Sequence, residues 1–357
     1  MPQSSPFAKA TQSASATFSE YAGWELPTNF GDWRNEYDAV RTSAALFDCS
    51  NHGQLEITGP EAPSFLTNLS TNDIVNLPLG AGCETYFLNA RARVLFQTIV
   101  YHVLLDGKRN GLWIDVTPGY HEKLLKHLDR HLISEQAEII DRTIQFGQLH
   151  LAGPSAKTVL EKALGEPIPE LSEFLHMERT IGTNAVCHIR RHDLLGVTGY
   201  DVVCLNERAE GVWRMLASCG AKPAGMEAYE VLRIEAGTPV YGADIDENRF
   251  VMEVGGVARA VCYTKGCFVG QEPIIMSRDR AGFVNRAFMK LKVIEGNPLP
   301  TGTPLFHNNE DIGLVTSSTE TPNSGVVALG YIRRGHQEAG TIFDAKVGEE
   351  VRKVMIV

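Results

Sequence analysis

The sequence predicts an α+β protein whose C-terminal part is a small all-β module. Three observations predict this. A strand, a Gly-Pro step and a helix recur: residues 55–66 read LEITGPEAPSFL and residues 149–160 read LHLAGPSAKTVL. Two copies suggest a repeated strand–helix unit in a layered fold, because a solenoid needs at least about three. Strand and helix patterns are mixed along the chain before residue 286. After it come short apolar runs at 287–293, 304–306, 313–317, 326–332 and 341–347, separated by Gly, Pro and Asn turns, which read as short strands.

Taken in order, residues 1–17 are rich in Ser, Ala and Thr and read as a loose arm. YAGWELP at 21–27 and Trp33 lead into a helical pattern through Glu36, Val40 and Ala44 to Phe47. Residues 54–58 alternate polar and apolar, as a half-buried strand does. Gly59-Pro60 stops that strand, and 61–69 reads as a helix with Pro60 near its first position. Residues 94–105 are a long apolar strand or strand pair with a turn at Asp106-Gly107, and 113–116 is a further strand. Residues 120–132 place Leu124, Leu125, Leu128 and Leu132 on one helix face. Residues 185–190 and 199–205 suit a hairpin, 209–218 a helix, and 225–236 a helix ending at Gly237. The apolar run 258–263 is strand-like.

A chain of 357 residues implies two or three domains. Its 43% hydrophobic and 21% charged content is ordinary for a globular protein. The net charge of −10 sets the surface against nucleic acid and anionic membrane. No apolar run approaches the roughly 20 residues of a membrane span, and the N-terminal stretch lacks the apolar core of a signal peptide. Seven cysteines, scattered and with no CxxC pair, suit reduced thiols in a cytoplasm and argue against a disulfide framework or a zinc site.

The stretch KGCFVGQE at 265–272 is the most suggestive in chemistry. Gly266 and Gly270 allow a tight loop, and Lys265, two residues before Cys267, is placed to favour its thiolate. The alternative is a surface turn with an inert cysteine. Asp48, Cys49 and His52 match no metal motif and suit a loop with a helix-capping residue. Cys187 and His188 fall on opposite faces of a strand, with His192 beyond it. Lys265, Arg278, Arg280 and Arg286 stand out against an acidic chain; they suit either a carboxylate-bearing ligand or a solvated face balanced by Asp279 and Glu272. Tyr101 suits a pocket or the core. A GxSxG elbow and a GxxxxGK[ST] phosphate loop are absent.

In family order, YAGWELP at 21–27, LFDCSNHGQLEITGPEAPSFL at 46–66, NDIVNLPLG at 72–80, PAGMEAYEVLRIEAG at 223–237, YGADIDEN at 241–248 and KGCFVGQE at 265–272 resemble the aminomethyltransferase (glycine-cleavage T-protein) superfamily. KGCFVGQE most resembles the signature of the folate-binding YgfZ branch, tied to iron–sulfur enzyme maintenance. The N-terminal half is closer to the T-protein. The resemblance implies an α+β cloverleaf of three domains around a central channel for tetrahydrofolate or a one-carbon derivative. Residues 1–53 with 141–245 would form one α/β domain, 54–140 with 246–285 a second interleaved one, and 286–357 a C-terminal β-barrel.

The resemblance also assigns residues. The paired aspartates of the T-protein become Phe96 and Gln97 here, and the preceding glycines become Ala92 and Arg93. An amide does not exchange a proton at neutral pH, so that carboxylate's acid–base role is lost. The pterin-binding glutamate falls at Asp201, beside Tyr200, and a pocket tyrosine at Tyr101. The arginine near the folate tail becomes Tyr229, leaving Arg233 as a substitute. Lys265 and Cys267 would form an accessory reactive or partner-facing site. Three readings follow. One is a folate-binding protein with iron–sulfur proteins as partners. Another is a folate-dependent aminomethyl- or methyltransferase or demethylase acting on an amine or a methylated sulfur compound. The third is a non-catalytic interaction protein that keeps the fold but not the ligand.

Overall fold

The computed structural model describes residues 1–357, and for Ala281 the backbone alone. The chain forms two compact units: residues 1–67, 73–85 and 98–230, and residues 68–72, 86–97 and 231–357. The α+β class and the C-terminal barrel expected from the sequence are both present.

The first unit holds a six-stranded sheet in the order His176–Ile181, Ala185–Arg191, Gly199–Leu205, Phe146–Ala152, Ala45–Asp48, Lys222–Ala224. On one face Leu149, Leu151, Ile189, Tyr200 and Val202 pack against Val159 and Leu160 of the helix Ala156–Leu164 and Trp213 of the helix Asn206–Ser218. Strand alternation therefore sends Gln148, His150, His188, Arg190 and Asp201 to the other face. A second sheet runs Gly82–Leu88, Val94–Leu105, Arg109–Val116, Gly53–Thr58, Glu138–Asp141. Val94–Leu105 is one continuous strand.

The repeated motif has a structural cause. Gly59 and Gly153 end their strands at φ +114° and +130°, and a Cβ there would lie 2.2 Å from the Gln136 carbonyl and 2.4 Å from the Ser43 carbonyl. The helices Ala62–Leu69 and Ala156–Leu164 follow. The helix His121–His131 buries Leu124 and Leu128 as the spacing predicts.

Four expectations are corrected. The helical pattern does not run on to Phe47: the helix Trp33–Thr42 stops short, and Ala45–Asp48 is a strand paired with Phe146–Ala152. Residues 1–17 are no loose arm: Gln3–Ser4 pairs in parallel with Trp24–Glu25, Ala8–Ser13 is a helix, and Phe7 is fully buried, 6.1 Å ring to ring from Trp213. The strand Gly53–Thr58 is buried on both faces, because Gln54 turns toward the buried Gln148 and Glu56 is covered by the half-buried Arg142. Residues 258–263 form the end of a short helix, Val257–Ala260, and a loop. There Thr71 satisfies the backbone: its hydroxyl donates to the Ala260 carbonyl, and its carbonyl accepts from Cys262 N–H.

The second unit carries a closed six-stranded barrel: Arg286–Val293, Gly325–Arg333, Glu310–Thr321, Pro304–His307, Ile342–Val347, Glu350–Ile356. Leu291, Leu305, Val315, Phe343 and Val354 fill it. Glu350–Ile356, unanticipated in the sequence, pairs with Arg286–Val293 and closes the ring. Among the described residues no helix is long and apolar enough to cross a membrane.

Candidate functional site

The inward polar positions of the first unit meet in two carboxylate-centred groups. The register sets Asp201 opposite His150 on one neighbouring strand and Arg190 on the other. Asp201 Oδ1 accepts from His150 Nδ1 at 2.7 Å, and Oδ2 from His192 Nδ1 at 2.9 Å. A carboxylate only accepts, so both Nδ1 atoms carry protons. Asp115 Oδ1 accepts from His52 Nδ1 at 2.6 Å, and Oδ2 from Arg190 Nη1 at 3.2 Å and Gln54 Nε2 at 3.4 Å. Gln54 accepts from the Trp113 indole N–H and donates to Gln148 Oε1 at 2.7 Å. The Arg190 guanidinium lies 4.4 Å from the Tyr101 ring centre.

Burial by itself would raise both carboxyls. His192 and His150 outweigh it at Asp201 and hold that group far below the usual carboxylate range. His52 and Arg190 do the same, less strongly, at Asp115. The partner histidines move reciprocally: burial lowers His192 and His52, but Asp201 and Asp115 raise them on balance. At His176 the bonded His102 carbonyl, and at His188 the Glu178 carboxylate 3.7 Å away, do not offset burial. Burial and the Arg190 charge push them down to about 4 and about 3.

Four polar atoms of this layer have no hydrogen-bond partner among the described residues: Tyr101 Oη, His150 Nε2, Arg190 Nη2 and His188 Nδ1. Burying a polar atom unpaired costs about 1–3 kcal/mol, so each calls for an explanation. Glycines fix the rings that carry two of them. A Cβ at Gly82 would fall 2.5 Å from the Tyr101 ring, and one at Gly199 would fall 2.9 Å from His150 Cε1.

The residues singled out from sequence divide between the units. In the first, Asp201 and Tyr101 belong to the buried layer. Tyr229, on the helix Met226–Ala236, stands edge-on to Phe47 at 5.5 Å and to His150 at 6.2 Å. Tyr200 points to the opposite face, into the helix-covered core, and its hydroxyl accepts from Arg191 Nη1 at 3.3 Å. In the second unit, Gln97 is half-buried, and Phe96 packs edge-on against Phe87 at 6.4 Å. Ala92 takes a left-handed backbone at φ +54°, a conformation that glycine adopts more readily. Arg233 is committed to a buried pair with Asp244 at 2.7 Å and to Ser317 Oγ at 3.1 Å; Asp244 in turn accepts from Thr316 and Ser317. The Lys265 ammonium donates to the carbonyls of Ser70 and Asn72 and lies 4.5 Å from the Phe268 ring centre, which anchors the loop. Cys267 is exposed. Arg278 pairs with Asp279 at the surface.

Sequence reasoning passed over His150, Asp115 and Arg190 and read His52 as part of a capped loop. The available signal was polar residues at alternate positions of otherwise apolar strands: Trp113 with Asp115, Gln148 with His150, and His188 with Arg190.

Residues 7–265 match the family described as the GCVT N-terminal domain, and residues 286–357 the glycine cleavage T-protein C-terminal barrel domain. An aminomethyltransferase of Rubrobacter xylanophilus is 30% identical over 331 residues, covering 92% of this chain and 86% of that protein. One of Bacillus pumilus is 27% identical over 358 residues, covering 99% and 96%. The crystal structure of the glycine cleavage system aminomethyltransferase T from Bartonella henselae aligns over 100% of this chain and 97% of its own, with a TM-score of 0.89 at 24% identity, a likeness of fold. With both domain matches spanning nearly its whole length, the chain belongs to the glycine cleavage T-protein family.

Proposed function

We propose that this protein binds tetrahydrofolate or a one-carbon derivative and carries or transfers the one-carbon unit, and that its chain divides into the three parts set out from the resemblance. The observation that carries the reading is the trio of buried, unpartnered atoms Tyr101 Oη, His150 Nε2 and Arg190 Nη2 in a member of this family. A pterin ring presents N–H donors beside carbonyl and ring-nitrogen acceptors. Arg190 only donates, His150 Nε2 accepts while Nδ1 holds the proton, and the Tyr101 hydroxyl does both. The set is thus complementary to a pterin edge. Asp201, with both oxygens held by imidazoles, acts on a ligand through them, and Tyr229 supplies an aromatic face beside His150. Gln97 offers positioning and no proton exchange. Calorimetry with tetrahydrofolate tests this: binding in the micromolar range is expected for the wild type, and loss of it in Arg190→Met. No heat at high micromolar ligand would sink the reading.

A second reading, a folate-binding protein that supports iron–sulfur proteins, is favoured by the exposed Cys267 in its anchored loop. Incubation with tetrahydrofolate and amine or methyl-sulfur donors separates transfer from carriage, and carriage is what the second reading requires. Net formation of methyl- or methylenetetrahydrofolate marks a transferase or demethylase, and binding without turnover marks a carrier.

A further inference from the structure

His150 is buried to 1% exposure, with Nδ1 against Asp201 and Nε2 without a protein partner. The hydrogen bond to Asp201 selects the tautomer: it fixes a proton on Nδ1, so the neutral form of the ring carries its lone pair on Nε2. Asp201 is itself held in orientation by His192 on its other oxygen. The ring of His150 is flanked by Phe47 at 6.4 Å and Tyr229 at 6.2 Å, and approached closely by Gly199. Rotating the ring by half a turn would break the Asp201 bond and set carbon against the carboxylate. One side of the imidazole is therefore committed to the protein, and the other is a fixed, buried acceptor.

We propose that His150 Nε2 is the proton acceptor for an N–H group of the bound ligand, with Asp201 as its positioning residue. This rests on the folate reading above and names the step within it. The lone pair of a tetrahydrofolate nitrogen forms the bond to the one-carbon unit. The bond from that carbon to its donor, a cationic ammonium or sulfonium, breaks, and the donor leaves neutral with the electron pair. The folate nitrogen then sheds its proton: the N–H electrons stay on nitrogen, an Nε2–H bond forms, and His150 becomes an imidazolium balanced by the Asp201 carboxylate. In the reverse direction the same proton returns from Nε2 as the carbon–nitrogen bond breaks.

Nitrogen NMR of protein labelled in its histidine rings tests this on the intact chain. The wild type at neutral pH is expected to show His150 with a protonated Nδ1 and a bare Nε2. Saturating tetrahydrofolate is expected to move the Nε2 signal in the direction of an accepted hydrogen bond. Asp201→Asn is expected to mix the two tautomers. His150→Gln is expected to bind tetrahydrofolate about tenfold more weakly. A proton on Nε2 in the wild type, or an Nε2 signal unmoved while calorimetry shows saturation, overturns the inference and leaves the folate reading standing. Absence of binding to the wild type removes the folate reading, and this inference with it.

Discussion

Arg190 lies over the ring of Tyr101, its guanidinium carbon 4.4 Å from the ring centre, and each of the two ends in an atom that no other protein group satisfies. Arg190 spends Nη1 on Asp115 and leaves Nη2 unpaired. The Tyr101 hydroxyl is buried, and burial pushes its pKa well above the usual phenol range, so it stays protonated as a donor. The two unpaired ends cost the folded protein stability, and they gain from a ligand what the protein withholds.

Tyr101→Phe separates stability from binding. It removes only the unpaired hydroxyl, so unfolding stability is expected to stay level or rise by up to about 1 kcal/mol. Tetrahydrofolate affinity is expected to fall several-fold. Urea denaturation beside calorimetry reads both; a loss of stability above about 1 kcal/mol would mean that the hydroxyl has a structural partner.

Arg190→Met should behave in the opposite way. It leaves Asp115 buried with His52 and Gln54 but without its cation. Removing one partner of a buried ion pair costs about 3–5 kcal/mol. A drop of that size in the urea-derived stability is expected, and a change under about 1 kcal/mol would show that Asp115 is held by His52 alone.

His188 predicts an acid limb in the stability curve. Its folded-state pKa is pushed down to about 3 from 6.5 by burial and by Arg190. Between those values the unfolded chain binds a proton that the folded chain rejects. The contribution is therefore complete above pH 6.5 and is lost as pH falls through the window toward 3, by about 2 kcal/mol at pH 5. His188→Phe keeps a ring stacked on Trp113, 5.9 Å away in the wild type, and is expected to flatten this limb. Equal pH dependence in the variant would locate the acid sensitivity elsewhere.

How legible the molecule was depends on which residues carried the pattern. Leu124 and Leu128, the hairpin of Ala185–Arg191 with Gly199–Leu205, and most barrel strands follow from apolar periodicity, because one buried face suffices to set their type. The N-terminal helix did not announce itself. Its polar composition conceals that Phe7 anchors it from just outside. The candidate site was half legible. Asp201 and Tyr101 came through the resemblance. Of their partners, Arg190 and His192 stand on and just past the adjoining strand, but His150 and Asp115 are distant in sequence, and strand register brings them in. A polar residue facing a buried polar layer reads, in one dimension, like a polar residue facing water.

The two Gly-Pro corners should be equally intolerant. Gly59 and Gly153 combine positive φ with carbonyl oxygens under 2.5 Å from the position a Cβ would take. Substituting Ala at either adds backbone strain to a clash with rigid main chain, and a loss above about 3 kcal/mol is expected. Gly165, at φ +74° with nothing within 4 Å, is the control, where Ala is expected to cost about 1 kcal/mol. Similar costs at all three sites would show that strain alone, without the close approach, accounts for the repeat.

Cys267 should dominate thiol chemistry in the native state. It is exposed on its loop, whereas Cys49, Cys187 and Cys204 are buried and Cys83, Cys219 and Cys262 are partly covered. The Cys49 thiol is also pushed well above its usual pKa by burial and by the neighbouring Asp201 and Asp48 charges, which suppresses its thiolate. Thiolate and access together set the rate of reaction with a disulfide reagent. One thiol is expected to react fast in native protein, three slowly at intermediate rates, and three only on unfolding. Cys267→Ser is expected to remove the fast phase and leave the others unchanged. A fast phase that survives this substitution would assign the reactive thiol to one of the partly covered cysteines and take from Cys267 any part in contacting a partner through its sulfur.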